Sequence, residues 1–206
     1  MRTYDVERER RDLYAPGSGD FAIVEVPPMQ FLVVDGRGDP DTSAPYREAV
    51  TGLFSLSDAV RAVTRSRRGR VPAVGPLGGL WSAADLDVYR TRDRDAWQWT
   101  LMIARPDWVS ADLVGEARAA AERGRLAALD RVRFECHTEG RSVQILHIGS
   151  YDDEARTLRR LHEEFLPAHG LVATGRHHEI YLSDARRTEP ARLRTVLRRP
   201  VGPSGR

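Results

Sequence analysis

Lysine is absent from this chain of 206 residues, so all 32 of its basic side chains are arginine. Schiff-base and other lysine-based covalent chemistry is thereby excluded. Cysteine is almost absent as well. The lone Cys136 rules out an internal disulfide and any zinc site needing two thiolates, and the sequence predicts a small, buried, apolar role for it. No apolar run approaches the roughly 20 residues that span a bilayer, so a membrane is not an expected partner. The first 14 residues mix charges of both signs around no apolar core, which leaves no secretory or lipidation signal in view and points to the cytoplasm. A dominant charge sign is missing too: 32 basic residues face 30 acidic ones, a net charge of +2. Arginines cluster at Arg8, Arg10 and Arg11, at Arg65, Arg67, Arg68 and Arg70, and from Arg192 to Arg199. No helix-turn-helix, finger or stacking platform accompanies them, so they read as solvated faces and direct nucleic-acid binding is not expected.

What remains fits a folded protein with one core. Hydrophobic residues make up 41% and charged residues 30%, and the length suits a single domain over residues 1–206. Phe21 to Val26 and Gln30 to Val34 read as short strands split by Pro27-Pro28. Ser43, Ala44 and Pro45 open a helix carrying Tyr46, Ala49, Val50, Leu53 and Phe54 at helical spacing, reaching the Arg65 cluster. After a Gly/Pro loop from Gly69 to Gly79 come strands around Leu80-Trp81 and from Trp97 to Ile103. Ser110 caps a second helix that ends near Gly124. Arg131 to His137 and Ser142 to Ile148 read as a hairpin turning at Glu139-Gly140. Asp152, Asp153 and Glu154 place negative charge at the start of a helix bearing Leu158, Leu161 and Phe165. His177 to Leu182 reads as the last strand, ahead of a short helix within 188–197. Two stretches, Phe31–Gly36 and Gln144–Gly149, each lead through an acidic turn into an amphipathic helix, which predicts duplicated halves over 20–105 and 106–200 with a ligand cleft between them.

Strand alternation puts His178, Ile180 and Leu182 on one face of the 177–182 segment and His177, Glu179 and Tyr181 on the other. A carboxylate beside a tyrosine near a strand centre is costly to bury unless it is paired, solvated or used on a ligand. Glu179 is therefore the candidate carboxylate, with an arginine ion pair as its structural alternative. Trp97 and Trp99 share a strand face, and Trp81 precedes them on a short strand, so the three could wall a planar ligand or fill core volume. Tyr151 stands at the turn after Gly149, where its phenol could aim at a ligand or staple the next helix. His177 and His178 point oppositely, and no HExxH or Cys/His spacing joins them, so no metal is expected. Without a GxSxG elbow, a P-loop or a complete dinucleotide fingerprint, no serine triad or cofactor is expected either.

The segment His177-His-Glu-Ile-Tyr-Leu-Ser-Asp184, with Arg186-Arg187 and then Leu193, Thr195, Val196, Leu197 and Arg198, resembles the closing signature of standalone GyrI-like proteins. Trp97–Ile103, Gln144–Glu154 and Pro76–Trp81 resemble the same family in the expected order. The resemblance implies an α+β fold of tandem pseudo-symmetric β-α-β-β repeats, that of bacterial transcription activator effector-binding domains, with a ligand cleft between the halves. It also implies a planar aromatic small molecule as partner. Relatives include multidrug-binding effector domains, a gyrase-inhibitory protein, and standalone hydrolases that open the cyclopropane of yatakemycin-type DNA-alkylating antibiotics. With no DNA-binding domain attached in this sequence, cyclopropane hydrolysis is the leading expectation. Glu179 would activate water, Tyr151 or Tyr181 would donate to the carbonyl oxygen, and Trp81, Trp97, Trp99 and His177 would hold the ligand. A noncatalytic multidrug binder and a topoisomerase-directed inhibitor are the alternatives, and self-association is left open. Gly78 and Ser82 stand where the family commonly has a glutamate and a second tryptophan, a departure that either widens the ligand mouth or removes a functional carboxylate.

Overall fold

The computed structural model describes residues 2–82, 94–122 and 129–205. In chain order the strands are β1 (Arg2–Tyr4), β2 (Ala22–Val26), β3 (Met29–Arg37), β4 (Arg70–Pro72), β5 (Leu77–Ser82), β6 (Gln98–Arg105), β7 (Arg133–His137), β8 (Gly140–Ile148), β9 (Leu171–Ala173), β10 (His177–Tyr181) and β11 (Arg194–Pro203). The helices are α1 (Val6–Glu9), α2 (Arg11–Tyr14), α3 (Ala44–Arg68), α4 (Ala111–Glu122) and α5 (residues 154–168). Two compact units contain them. The first joins Met1–Glu9 to Met29–His137, and the second joins Arg10–Pro28 to Thr138–Arg206.

In the first unit β3 pairs antiparallel with both β6 and β7, and β6 also pairs with β5. Phe31, Leu32, Val33 and Val34 are all buried, as a continuous apolar run requires of a strand covered on both faces. Helix α3 starts where Ser43, in an extended conformation, accepts the Tyr46 N–H at 3.3 Å, with Pro45 in the first turn. It stops at Gly69, whose φ of 60° suits glycine, after a last turn carrying Arg65, Arg67 and Arg68. Its buried stripe of Ala49, Leu53, Leu56 and Val60 packs toward β3, β6 and α4. Burying one such leucine is worth about 1.5–3 kcal/mol, so Leu53→Ala would be among the costliest truncations here. In α4, the Leu113 N–H donates to Ser110 Oγ at 3.4 Å, as the capping pattern predicts. The expected stop at Gly124 lies outside the described residues. The polar amino-terminal segment contributes β1, which pairs in parallel with β4.

The second unit repeats this order. Strand β11 lies between β8 and β10, β2 pairs with β8, and β9 pairs with the far end of β11, all antiparallel. Thus β3-α3-β5-β6 in one unit answers β8-α5-β10-β11 in the other. Helix α5 seals an apolar cluster of Val143, Leu161, Leu166, Leu171 and Val201, with Phe21 and Phe165 packed against it. Its middle, Arg160–Phe165, is wound as a π-helix. Pro167, which has no N–H to offer the carbonyl of Glu163, comes two residues after Phe165, so the hydrogen-bond ladder is reset there.

Three sequence expectations are corrected. Strands β7 and β8 do not form a hairpin: β7 pairs with β3, whereas β8 pairs with β2 and β11. The segment 188–197 is not a helix beyond the 3-10 turn Pro190–Arg192, because Arg194 onward alternates as the long strand β11. Cys136 is exposed, since β7 is an end strand with mostly exposed side chains. Among the described residues no helix is long and apolar enough to cross a membrane.

A buried ionic network fixes β10 in place. Glu139, at the entry to β8, takes Arg198 Nη1 on one oxygen at 2.9 Å and lies 2.9 Å from His178 Nδ1 on the other. Arg198 also donates through Nε to Gln144 Oε1 at 3.0 Å and through Nη2 to the Leu13 carbonyl at 2.6 Å. Burial pushes the Glu139 carboxyl up, but the His178 imidazole and the Arg198 guanidinium outweigh it and hold the group well below the usual carboxylate range. The inward face of β10 is thus committed to structure. Its other face is left for chemistry.

Candidate functional site

The face of β10 opposite His178 and Ile180 carries His177, Glu179 and Tyr181 in the alternation the sequence predicts, each partly exposed. Tyr181 donates its hydroxyl proton to Glu179 Oε2 at 2.8 Å. His177 Nε2 lies 3.3 Å from Glu179 Oε1, near enough for an ion pair when the ring is protonated but out of line for a hydrogen bond. Tyr151 sits on the 3-10 turn Tyr151–Asp153 and meets Tyr181 edge to face, with ring centroids 5.7 Å apart. That turn is built locally. Gly149 takes a φ of 148°, and Ser150 accepts the Asp153 N–H at 3.3 Å while donating to Asp153 Oδ2 at 2.6 Å.

A second carboxyl completes the group. Glu154, in the first turn of α5, is only 4% exposed. Thr195 of β11, directly opposite Tyr181 in the sheet, lies beside this carboxyl, and Glu154 Oε1 has no hydrogen-bond partner among the described residues. Burial first, and repulsion from Glu179 second, push the Glu154 carboxyl up to about 10 against the weaker pull of Thr195. At neutral pH, Glu154 is a neutral acid beside Glu179. The sequence groups Glu154 with Asp152 and Asp153 as negative charge at a helix start. A signal was there to be read: Glu154, Leu158, Leu161 and Phe165 follow i, i+4, i+7, i+11 spacing, which puts this glutamate on the apolar stripe.

The aromatic candidates collect in the first unit. Trp81 stands opposite Trp99 across β5 and β6. Tyr46 of α3 stacks near Trp81 at 6.4 Å and meets Trp99 edge-on at 5.2 Å, while Trp97 meets Trp81 edge-on at 5.6 Å. Trp99 is 1% exposed, donates to the Gly38 carbonyl at 3.3 Å, and covers Gly36 so closely that a Cβ there would lie 2.1 Å from the ring. It is a core ring. Trp81 is nearly as buried, and Trp97 is the ring that keeps an accessible face, with the Arg94 guanidinium 5.3 Å from its centroid. Gly78 is buried in β5 and Ser82 ends that strand opposite Gln98.

Over residues 19–201, nearly the whole length, the sequence matches the GyrI-like small molecule binding domain. The chain belongs to this GyrI-like family. Solved structures agree. An uncharacterized conserved protein from Listeria innocua shares 34% identity and superposes with a TM-score of 0.88, covering 97% of this chain and 100% of that one. Two structures from the same organism described as hydrolases share 32% identity, with TM-scores of 0.84 and 0.87, over 97% and 98% of this chain and all of theirs. No curated protein matches the sequence. The GyrI-like assignment establishes a small-molecule-binding domain of mixed helix and antiparallel sheet. It leaves the chemistry to the residues, because one fold hosts both binding and catalysis.

Proposed function

We propose that this protein binds planar aromatic small molecules and adds water across an electrophilic cyclopropane conjugated to a dienone carbonyl, the reactive unit of yatakemycin-type alkylating antibiotics, so protecting the cell. The observation that carries this reading is the 2.8 Å hydrogen bond from Tyr181 to Glu179, which links a base to a proton donor on one strand face. Two relatives described as hydrolases at 32% identity support it.

In this reading Glu179 takes a proton from water as the water oxygen bonds to the unhindered ring carbon. The ring C–C bond breaks, and its electron pair moves through the dienone to leave a phenolate. Tyr181 gives its proton to that oxygen and is reprotonated by Glu179, so the proton taken from water ends on the product phenol. One water is consumed and the site returns to its starting state. Tyr151, against Tyr181, is assigned to the same oxygen, and His177 to holding Glu179 in place. General base action of this kind contributes about 10² to 10⁴ fold. Among the tryptophans, the accessible face of Trp97 is assigned to stacking, while Trp81 and Trp99 support it from within the sheet. Incubation with a cyclopropane-bearing antibiotic followed by product mass analysis tests the reading. Wild type should add one water, and Glu179→Gln should bind but hydrolyse at least a hundredfold more slowly. Unchanged water addition by that variant would remove Glu179 as the base.

A second reading, a noncatalytic binder of planar cations, is favoured by Glu179 as counter-charge. Under it the ligand is recovered chemically intact.

A further inference from the structure

Two carboxyl groups are placed together in the second unit, yet only one of them is arranged as a charge. Glu179 is reached by solvent, with a side chain 16% exposed, and is served by Tyr181 and His177 on its own strand. Glu154 is 96% removed from solvent on the stripe of α5 that carries Leu161, has the neutral Thr195 side chain beside it, and has an oxygen with no partner among the described residues. Among the described residues the charge recorded as acting on Glu154 is that of Glu179, whereas Glu139 of the same unit has both an arginine and a histidine. A buried carboxyl with one neighbouring hydroxyl and a like-charged neighbour is stable only while it keeps its proton.

We propose that Glu154 is a proton-exchange residue that sets the charge of the ligand site: a positively charged ligand seated against Glu179 drives the proton from Glu154 into solvent, and a neutral ligand leaves it in place. The proposal rests on the small-molecule-binding reading and not on hydrolysis. Within the alkaline window worked out below, the site then presents one negative charge to neutral planar molecules and two to cationic ones, which lets the same residues take both classes. The groups recorded around this pair are Thr195 from β11 and His177 and Tyr181 from β10, with Tyr151 against Tyr181, and His162 of α5 and Arg199 of β11 beyond His177.

The magnitude follows from charge and distance. A unit positive charge about 6 Å from Glu154, at an effective dielectric of about 20, lowers the carboxyl by about two pKa units. From a starting value of about 10 this opens a window in which the free protein holds the proton and the complex does not. Affinity for the cation then rises about tenfold between about pH 7 and about pH 9, with close to one proton released per ligand at the upper end.

The experiment uses the full chain and two probes, ethidium as a planar monocation and a neutral planar aromatic of similar size. Affinity is followed across that range, and calorimetry in two buffers of different ionisation enthalpy counts the protons released. The tenfold rise and the proton release should accompany ethidium alone, and Glu154→Gln, which keeps the neutral shape without the proton, should abolish both. A flat ethidium affinity in wild type overturns the proposal. So does a rise that survives in Glu154→Gln, since a tyrosine or Glu179 would then be the titrating group. Failure of ethidium to bind at any pH overturns it as well, while continued binding of the neutral probe would leave the small-molecule-binding reading standing. Water addition to a cyclopropane is scored separately, so the hydrolytic reading fails or survives on its own evidence.

Discussion

Replacing Glu154 with glutamine should stabilise the folded protein, and by an amount that grows with pH. The unfolded chain releases this proton near the ordinary value of 4.5, whereas the folded chain holds it to about 10. Between those values the native state binds one more proton than the unfolded state, so native stability falls as pH rises; below 4.5 both states are protonated and the penalty vanishes. Each pH unit in the window removes about 1.4 kcal/mol, so near pH 7 the wild type is about 3 kcal/mol less stable than it would be with a group that never ionises. Glutamine is that group. It fills the same volume and keeps a carbonyl oxygen available to the neighbouring Thr195. Urea unfolding of wild type and Glu154→Gln at about pH 5, 7 and 8 should give midpoints that nearly coincide at the acid end and separate progressively toward the alkaline end, at equal slopes. A difference that does not change with pH, or a variant less stable than wild type at neutral pH, would refute the argument that burial and Glu179 together keep this carboxyl neutral.

Other substitutions test the surroundings. Glu139→Ala should cost about 3–5 kcal/mol in denaturant unfolding, because it leaves the Arg198 guanidinium buried without its counter-charge. For the same reason acidification should remove stability as pH falls from 4.5 toward the lowered folded value of Glu139, the opposite sense to Glu154. Gly36→Ala should destabilise by about 1–3 kcal/mol and shift the tryptophan fluorescence, since the added methyl would displace the Trp99 ring; an unchanged spectrum and melting temperature would show that the ring yields without cost.

Much of this fold is legible in the sequence wherever local chemistry decides the outcome. The Ser43-Ala-Pro start and Gly69 stop of α3 depend on a hydroxyl acceptor and a left-handed residue, and both are visible in the letters. The alternation that separates His178 from Glu179 is equally local. Long-range pairing is what escapes. Nothing around Glu139-Gly140 distinguishes a hairpin from two strands that find separate partners, and Glu139, read as half of a turn signal, proves to be the centre of a buried ionic network drawing on residues from α2 to β11. The strand Arg194–Pro203 was missed because arginines and prolines interrupt its apolar pattern; in place, Arg198 is buried by that same network. At the site, Glu179 could be singled out as an awkward carboxylate on a strand face. Glu154 could not be separated from Asp152 and Asp153 by charge alone, and only its helical phase sets it apart. The three tryptophans were legible as a group, but which ring stays accessible depends on Tyr46 and Gly36, whose roles come from packing.

The placement of β2 and β7 also governs what a single cut in the backbone would do. Strand β2 pairs with β8, and β7 pairs with β3, so each unit borrows its end strand from beyond the other's nearest segment of chain. Cleavage anywhere between β6 and β7 would yield two fragments, neither of which owns a complete sheet: the first keeps β2 without β8, and the second keeps β7 without β3. Fragments of this kind can complete their sheets only by pairing with each other, so a cut in this stretch would turn folding of the chain into an association of two pieces.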